Sequence, residues 1–205
     1  MADLDEKGFW NARYAPEEYL FGTHPNAFLA REIHRLDPGS KILAIADGEG
    51  RNSVFLAQHG HHVVATDISE RALDKACRLA QRRGVDIDYR LIDLASWDWP
   101  QEEFDAVVGI FIQFAGPDLR ASLFRSIART LKPGGLLLLE GYREEQLDYG
   151  TGGPPNIENL YTERMLREAF SDWTIEHLIS CDLEIEEGKG HAGMSALIDL
   201  VARKV

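Results

Sequence analysis

The stretch "LAIADGEGRNSVFLA", from Leu43 to Ala57, carries the most informative pattern in the chain. It begins as an apolar run typical of a buried strand, crosses two glycines and continues with the spacing of a helix. Gly48 and Gly50 allow the backbone to approach a ligand, because no Cβ stands in the way. Asn52 or Ser53 can cap the helix that follows. The stretch therefore predicts either a ligand site between a strand and a helix or a plain tight turn.

Further apolar runs suit strands that are buried on both faces of a parallel sheet. These runs are Lys41–Ala46, His62–Asp67, Phe104–Ile112 and Gly135–Tyr142. Residues Val85 to Leu91 alternate and predict a strand with one more polar face, at an edge. Helical patterns separate the runs: Ser69 can cap one helix, Gly84 can end it, and a second apolar stripe begins at Leu119. The alternation predicts an α/β, doubly wound sheet.

The last third of the chain departs from this alternation. After a predicted helix from about Thr162 to Phe170, "WTIEHLIS" and "MSALIDLVARKV" resemble strands, with "CDLEIEEGKGHAG" as a loop between them. A loop alone cannot carry a parallel crossover, so the two strands predict an antiparallel hairpin.

The acidic residues near the glycines separate two kinds of ligand. Asp67 closes the second strand, and its carboxylate can accept hydrogen bonds from both hydroxyls of a ribose. A dinucleotide site usually has glycines in the pattern G-x-G-x-x-G, but here Ser53 takes the third place and Glu49 lies in the turn, where it would repel a pyrophosphate. A methyl donor such as S-adenosylmethionine has no phosphate and carries positive charge. Asp47 or Glu49 would favour it, although either can also be a solvated surface charge.

Several motifs together resemble the class I S-adenosylmethionine-dependent methyltransferases. They are "ILAIADGEGRNSVFLAQHGHHVVATDIS", "LIDLASW", "FDAVVGIF", "LKPGGLLLLEGY" and "MSALIDLVARK". "GEGRN" and "YLFGTHPNAFLA" are most similar to the tellurite-resistance and thiopurine-methyltransferase-like group. The resemblance covers nearly the whole chain. It implies one Rossmann-like domain over residues 1–205 with a seven-stranded sheet in the order 3-2-1-4-5-7-6 and strand 7 antiparallel. Residues 1–40 would form a lid or helical segment, 41–142 the donor-binding core, and 143–205 an acceptor-side loop, helix and hairpin.

The resemblance also implies a donor site. Gly48 and Gly50 would line the methionine part, Asp67 would hold the ribose hydroxyls, and residues after the second and third strands would meet the adenine. The expected donor-binding residues are Ala46, Asp47, Gly48, Gly50, Arg51, Asn52, Asp67, Ile68, Asp93, Leu94 and Ile110. Two positions depart from the family pattern, since Ala44 stands where an acidic residue is common and Ala46 where a glycine is common. We hypothesise that Asp47 replaces the missing carboxylate and faces the cationic end of the donor.

The acceptor side is less well defined by the sequence. Methyl transfer is an in-line displacement that needs orientation more than a protein nucleophile, so no catalytic triad or metal is required. "HGHH", His59 to His62, is expected not to bind metal. The candidates for substrate contact are Arg51, Gln113, Tyr142, Arg143, Tyr149 and His191. Among the weak catalytic candidates His191, Gln113 and Tyr149, His191 is the best base, because its loop looks flexible and an imidazole titrates near neutrality. Each of them can also be structural.

Two flanking segments can shape the acceptor pocket. "FWNARYAPEEYLFGTHPN" can form a lid over the site or a helix packed on the sheet, and "GYREEQLDYGTGGPPN" predicts a loop at the rim of the site.

Composition narrows the classes of partner. The formal net charge of −12 and the pI near 5.0 disfavour nucleic acid and favour a small-molecule acceptor. No apolar run approaches the roughly 20 residues of a membrane span, and the acidic start does not resemble a basic leader, so a cytoplasmic protein is expected. Cys77 is expected to be a structural thiol on an apolar helix face. The predicted function is methyl transfer from S-adenosylmethionine to a small molecule. The alternatives are a non-catalytic module that binds this donor and, third, an NAD-dependent oxidoreductase.

Overall fold

A computed structural model describes residues 6–205, so the first five residues of the expected lid lie outside the described part. The strands are β1 (Lys41–Ile45), β2 (His62–Asp67), β3 (Asp88–Leu91), β4 (Phe104–Ile110), β5 (Leu131–Tyr142), β6 (Thr174–Glu187) and β7 (His191–Arg203). The helices are α1 (Glu6–Arg13), α2 (Ala27–Glu32), α3 (Arg51–Gln58), α4 (Glu70–Arg83), α5 (Pro117–Thr130), α6 (Gln146–Tyr149) and α7 (Glu163–Ala169). Short 3₁₀ turns lie at Ile33–Arg35 and Ile157–Asn159.

The seven strands form one sheet in the order β3-β2-β1-β4-β5-β7-β6. β1 to β5 are parallel, β7 is antiparallel to β5, and β6 is antiparallel to β7. The predicted fold class and strand order are confirmed, including the antiparallel hairpin and β3 at an edge. Because parallel strands carry their carboxyl ends to the same edge, the turns after β1, β2, β4 and β5 meet there.

The core lies on both faces of the sheet, as the continuous apolar runs predict. Leu43 and Ile45 of β1 pack into one cluster with the buried side chains of α5 and α7, while Ile42 and Ala44 pack into another with α2 and α3. Neighbouring residues of one strand therefore serve opposite layers, and the strand has no solvent-facing side.

Helix α4 begins and ends where the sequence predicts. The Ser69 hydroxyl accepts a hydrogen bond from Ala72 N at 3.2 Å, and Gly84 closes the helix with φ of 68°. The expectation for Cys77 is wrong, because this side chain is exposed. Lys75 is buried in this helix instead, since a carboxylate in the glycine turn neutralises its charge.

The hairpin is longer than predicted. β6 runs to Glu187 and β7 begins at His191, so only three residues join the strands, and most of "CDLEIEEGKGHAG" is sheet and not loop. Leu183 and Ile185 pair with Ser195 and Gly193, which continues the ladder to the tip. The acidic side chains of this stretch conceal the two-residue alternation of its apolar residues.

Other strand ends differ by a few residues. β4 stops at Ile110, because Phe111 adopts a left-handed backbone with φ of 55°. β1 stops at Ile45, and Ala46 has φ of 48°. No helix within residues 6–205 is long and apolar enough to cross a membrane.

Candidate functional site

The two glycines of the turn after β1 are required for different reasons. Both have positive φ, 63° at Gly48 and 88° at Gly50. A Cβ at Gly50 would lie 2.7 Å from the Ala76 Cβ, so Gly50 allows α3 and α4 to pack closely. A Cβ at Gly48 would lie 2.9 Å from the hydroxyl oxygen of Tyr14, so Gly48 faces the N-terminal segment that lies over the turn.

Asp67 lies beside this turn at the end of β2. Its carboxylate accepts hydrogen bonds from Gly48 N at 2.9 Å and from Ser69 N at 2.8 Å, and the residue is 6% exposed. Burial raises the pKa of Asp67 to about 6 against the lowering effect of these N–H groups. A carboxylate can accept about four hydrogen bonds, so capacity remains for a ligand's hydroxyl groups.

Asp47 accepts hydrogen bonds at the N-terminus of α3. The Ser53 hydroxyl and the Ser53 backbone N–H both donate to its carboxylate. Burial raises the pKa of Asp47 to about 7. The structure thus gives Asp47 a helix-capping role, and the hypothesis that it faces the donor's cationic end stays a prediction.

Glu49 lies in the turn but is not free to meet a ligand. Its Oε1 atom lies 2.5 Å from Lys75 Nζ, and both side chains are almost fully buried. Its other oxygen accepts hydrogen bonds from Leu20 N at 2.7 Å and Phe21 N at 3.4 Å. The sequence argument that Glu49 would attract a cationic ligand or repel a pyrophosphate is therefore wrong, because a buried ion pair neutralises its charge.

The aromatic N-terminal stretch lies across the carboxyl edge of the sheet. Tyr14 is 5% exposed beside Gly48, and its ring stacks on Trp10 with centroids 5.6 Å apart. Burial raises the pKa of the Tyr14 hydroxyl well above its usual value, and the charge of Asp67 adds to this rise. Asn11 accepts a hydrogen bond from the Ser69 hydroxyl at 2.7 Å. These contacts place the stretch over the predicted donor turn.

The remaining predicted donor residues also lie along this edge. Ile68 follows Asp67, Leu94 is buried, and Ile110 ends β4. Asp93 is exposed after β3 and accepts hydrogen bonds from Ala95 N at 2.9 Å and the Ser96 hydroxyl at 3.2 Å. Asn52 is buried, and its side-chain oxygen accepts a hydrogen bond from Asn26 N at 2.9 Å.

His191 differs most from its sequence-based description. It begins β7, is buried, and packs against the rings of Phe21, Phe111 and Tyr142, with centroids 4.4, 4.3 and 5.7 Å away. Burial, with Arg51 and Arg13 nearby, lowers its pKa to about 3. The expectation of an imidazole that titrates near neutrality in a flexible loop is therefore wrong.

The other acceptor-side candidates are divided between structural and exposed positions. Gln113 is buried, and its amide accepts from Tyr142 N at 2.6 Å and donates to Tyr142 O at 2.8 Å, so it braces the end of β5. Arg143 pairs with Asp182 and donates to Leu197 O at 3.0 Å. Tyr149 ends α6 and is 39% exposed.

A buried polar network joins the N-terminal segment, the glycine turn and the hairpin tip, and the sequence does not reveal it. Arg51 pairs with Glu187 at 2.7 Å. The Asn26 side-chain amide donates to Glu187 at 3.1 Å and to Glu140 at 2.6 Å. Burial raises the pKa of Glu140 well above its usual value, and Asp199 adds to the rise. The alternation of Leu183, Ile185 and Glu187 is the one available signal for this position of Glu187.

The histidine run His59 to His62 lies at the opposite edge of the sheet from the glycine turn. Burial lowers the pKa of His61, and His59 packs on the ring of Phe55 with centroids 4.2 Å apart. In the described part of the chain, no group of three or more His, Cys, Asp or Glu side chains is arranged to hold a metal ion.

Comparisons with known proteins find similarity to methyltransferases, in agreement with the strand order of the sheet. Residues 42–135 match a family model described as a methyltransferase domain. Glycine N-methyltransferase of Rattus norvegicus is 27% identical over 174 residues, which is 75% of this chain and 59% of that enzyme. The chain spans less than two thirds of the length of the curated relatives that it matches first.

Two solved structures share the fold over almost the whole chain. TehB from Haemophilus influenzae has a TM-score of 0.72 at 19% identity, over 98% of this chain and 67% of TehB. The N-methyltransferase NodS from Bradyrhizobium japonicum, in complex with S-adenosyl-L-homocysteine, has a TM-score of 0.71 at 16% identity over 97% of each chain. Residues 42–135 are thus similar to a methyltransferase domain, and the described chain shares the Rossmann-like, seven-stranded fold of these two solved structures.

Proposed function

We propose that this chain is an S-adenosylmethionine-dependent methyltransferase that transfers a methyl group in line to a small molecule. The observation that carries the proposal is the buried Asp67 carboxylate beside the Gly48 and Gly50 turn, inside the region that matches the methyltransferase-domain model. The S-adenosyl-L-homocysteine bound by NodS supports the same donor.

The residues of this edge fit such a donor. Asp67 retains acceptor capacity for two ribose hydroxyls, and Gly48 brings backbone close without a Cβ. Beyond these two residues, the proposed donor-binding residues are Ala46, Asp47, Gly50, Arg51, Asn52, Ile68, Asp93, Leu94 and Ile110. We propose the described part of residues 1–40 as the lid, because Tyr14 is buried over Gly48.

The bound donor would supply a methyl group already activated by a positively charged sulfur. The chain itself orients the two reactants and excludes water, through the aromatic side chains of the lid and of the acceptor side. Burial lowers the pKa of His191 to about 3, which makes its imidazole a weak base. We therefore assign no general base.

A small acceptor is favoured by the aromatic side chains that pack around His191. Phe21, Phe111 and Tyr142 surround His191, and the net charge of −12 opposes a polyanionic substrate. Relatedness to the tellurite-resistance and thiopurine-methyltransferase-like group is proposed from "GEGRN" and "YLFGTHPNAFLA". The cytoplasmic location expected from the sequence stays a prediction.

Two experiments test the proposal. Calorimetry measures binding of S-adenosylmethionine, S-adenosylhomocysteine and NAD to the wild type, to Asp67→Asn and to the control Asp88→Asn, which changes an exposed carboxylate on β3. We expect binding of both methionine compounds, loss in Asp67→Asn and no loss in the control. Binding of NAD alone would favour an oxidoreductase.

Turnover is tested with labelled donor and a panel of thiol, selenium, tellurium, amine and phenol acceptors. Labelled product supports catalysis. Donor binding with no product from any acceptor would favour a non-catalytic donor-binding module.

A further inference from the structure

Three polar atoms around His191 are buried without a hydrogen-bond partner within 3.5 Å. They are Nη1 of Arg51, Nδ1 of His191 and the hydroxyl oxygen of Tyr142. The three residues are 7%, 9% and 1% exposed. A buried donor that lacks an acceptor costs free energy, so such a group marks a place where a ligand can supply one.

The three side chains come from elements that meet at one edge of the sheet. Arg51 begins α3 directly after the glycine turn, Tyr142 ends β5, and His191 begins β7. Arg51 lies close enough to contribute to the lowered pKa of His191. The rings of Phe21 and Phe111 both pack against His191, with centroids 4.4 and 4.3 Å away, and give this group apolar neighbours. We call Arg51, Tyr142 and His191 the N–H/O–H cluster, since each can donate a hydrogen bond.

The charges around the N–H/O–H cluster favour an anion with a single charge. Glu187 is the acidic partner of Arg51, but it pairs with Nη2 and leaves Nη1 free. Glu140 lies on β5 two residues before Tyr142, accepts a hydrogen bond from the Asn26 amide at 2.6 Å, and has a pKa that burial raises well above its usual value. Arg13 is the second cation near His191. A dianion such as phosphate would meet Glu187 at close range, whereas a planar monoanion needs only the free edge of the guanidinium.

We propose that Arg51 Nη1 and His191 Nδ1, with the Tyr142 hydroxyl, form a subsite that binds a carboxylate. A carboxylate is ionised at neutral pH without a base, and its two oxygens match an arginine edge and a neighbouring donor. The inference rests on the proposed function for its two sources, which are the methionine carboxylate of the donor and a carboxylate on the acceptor. In both cases the ligand supplies the acceptor atoms that these side chains lack.

The first arm of the experiment tests the donor as source. Calorimetry compares S-adenosylhomocysteine with 5′-methylthioadenosine, which has the same nucleoside but no amino acid, on the wild type and on Arg51→Gln and His191→Asn. If the donor supplies the carboxylate, Arg51→Gln lowers affinity for S-adenosylhomocysteine at least tenfold and leaves 5′-methylthioadenosine within about twofold. Arg129→Gln is the matched control, because this exposed arginine pairs with Asp98 outside the site.

The second arm tests the acceptor as source. Benzoate and its uncharged analogue benzamide are titrated into protein saturated with S-adenosylhomocysteine. If the acceptor supplies the carboxylate, benzoate binds at least tenfold more tightly than benzamide, and Arg51→Gln and His191→Asn remove the difference.

The result that overturns the subsite is the same in both arms. In each arm, the ratio of the affinities for the carboxylate ligand and its uncharged counterpart would change by less than twofold in Arg51→Gln and in His191→Asn. Because Arg51→Gln leaves Glu187 buried without its partner, Arg51→Gln with Glu187→Gln is measured beside it, and near-ultraviolet circular dichroism checks folding.

Failure of the proposed function is separable. If neither nucleoside binds the wild type, the methyltransferase proposal fails, and the benzoate and benzamide titration on the free protein still decides whether the carboxylate subsite exists.

Discussion

The buried ion pair between Glu49 and Lys75 ties the N-terminal segment, which we propose as the lid, to the glycine turn, and breaking it is the sharpest test of the structure. Glu49 Oε1 lies 2.5 Å from Lys75 Nζ, with both side chains at most 3% exposed. Lys75 also donates to Glu18 O at 2.6 Å, while Glu49 accepts from Leu20 N at 2.7 Å. One pair of charges thus joins α4, the glycine turn and the lid.

Glu49→Gln leaves the Lys75 ammonium buried without a counter-charge. Removing one partner of such a pair costs about 3–5 kcal/mol of unfolding free energy. With an m-value of about 2 kcal/mol/M, the midpoint of urea unfolding falls by roughly 2 M. Glu49→Gln with Lys75→Met removes both charges, so we expect the double variant to be more stable than Glu49→Gln alone. Glu49→Gln should also increase proteolysis near Tyr14 to His24, since the lid loses its anchor.

The matched control is the pair Lys7 and Glu70, which is similarly short at 2.6 Å but has side chains that are 45% and 60% exposed. Glu70→Gln should cost less than about 1 kcal/mol. A cost below about 1 kcal/mol for Glu49→Gln would contradict a stabilising role of the ion pair. So would a double variant whose destabilisation equals the sum of those of Glu49→Gln and Lys75→Met. Additivity would mean that the two charges do not act as a pair.

Three further outcomes follow from the donor turn. Gly50→Ala should lower the free energy of unfolding by about 2 kcal/mol or more, because the new Cβ would lie 2.7 Å from the Ala76 Cβ at a φ of 88°. Urea unfolding measures this, with Gly39→Ala as the control for backbone strain alone, because Gly39 has a similar φ and a Cβ there meets nothing within 4 Å. Donor affinity should fall up to tenfold per pH unit below about 6, because the ribose hydroxyls donate to ionised Asp67; calorimetry from pH 8 to pH 5 that shows no fall would contradict this. Folding raises the pKa of Asp47 from 3.8 to about 7, so between these pH values the folded chain binds more protons than the unfolded chain. The unfolding free energy of the ligand-free protein should therefore fall as pH rises from about 4 to 7. The urea midpoint of Asp47→Asn should show less of this fall.

The sequence predicts the sheet because its strands are long apolar runs with distinct ends. Leu43 and Ile42 can be assigned to a two-sided core without any knowledge of partners, and Ser69 and Gly84 delimit α4. Local rules suffice here, since burial of both strand faces and capping depend on residues close in the chain.

The side chains of the site are harder to predict because their partners are distant in sequence. Glu49 looks like a charge for a ligand until Lys75, 26 residues later, is seen to neutralise it. His191 looks like an exposed base until Phe21 and Arg51 bury it and lower its pKa. Periodicity gives no information about such pairings.

The network at the hairpin tip has a consequence for how the protein folds. The Asn26 amide and Glu187 are 161 residues apart, and Gly190 N donates to Leu20 O at 3.0 Å. Contacts of such separation close large loops, whose entropic cost delays them relative to local structure. The central strands and their helices can therefore form while the site is still open. We expect the chain to gain its secondary structure before it can retain a ligand. In a refolding experiment, the recovery of ligand binding should therefore lag behind the recovery of the far-ultraviolet circular dichroism signal.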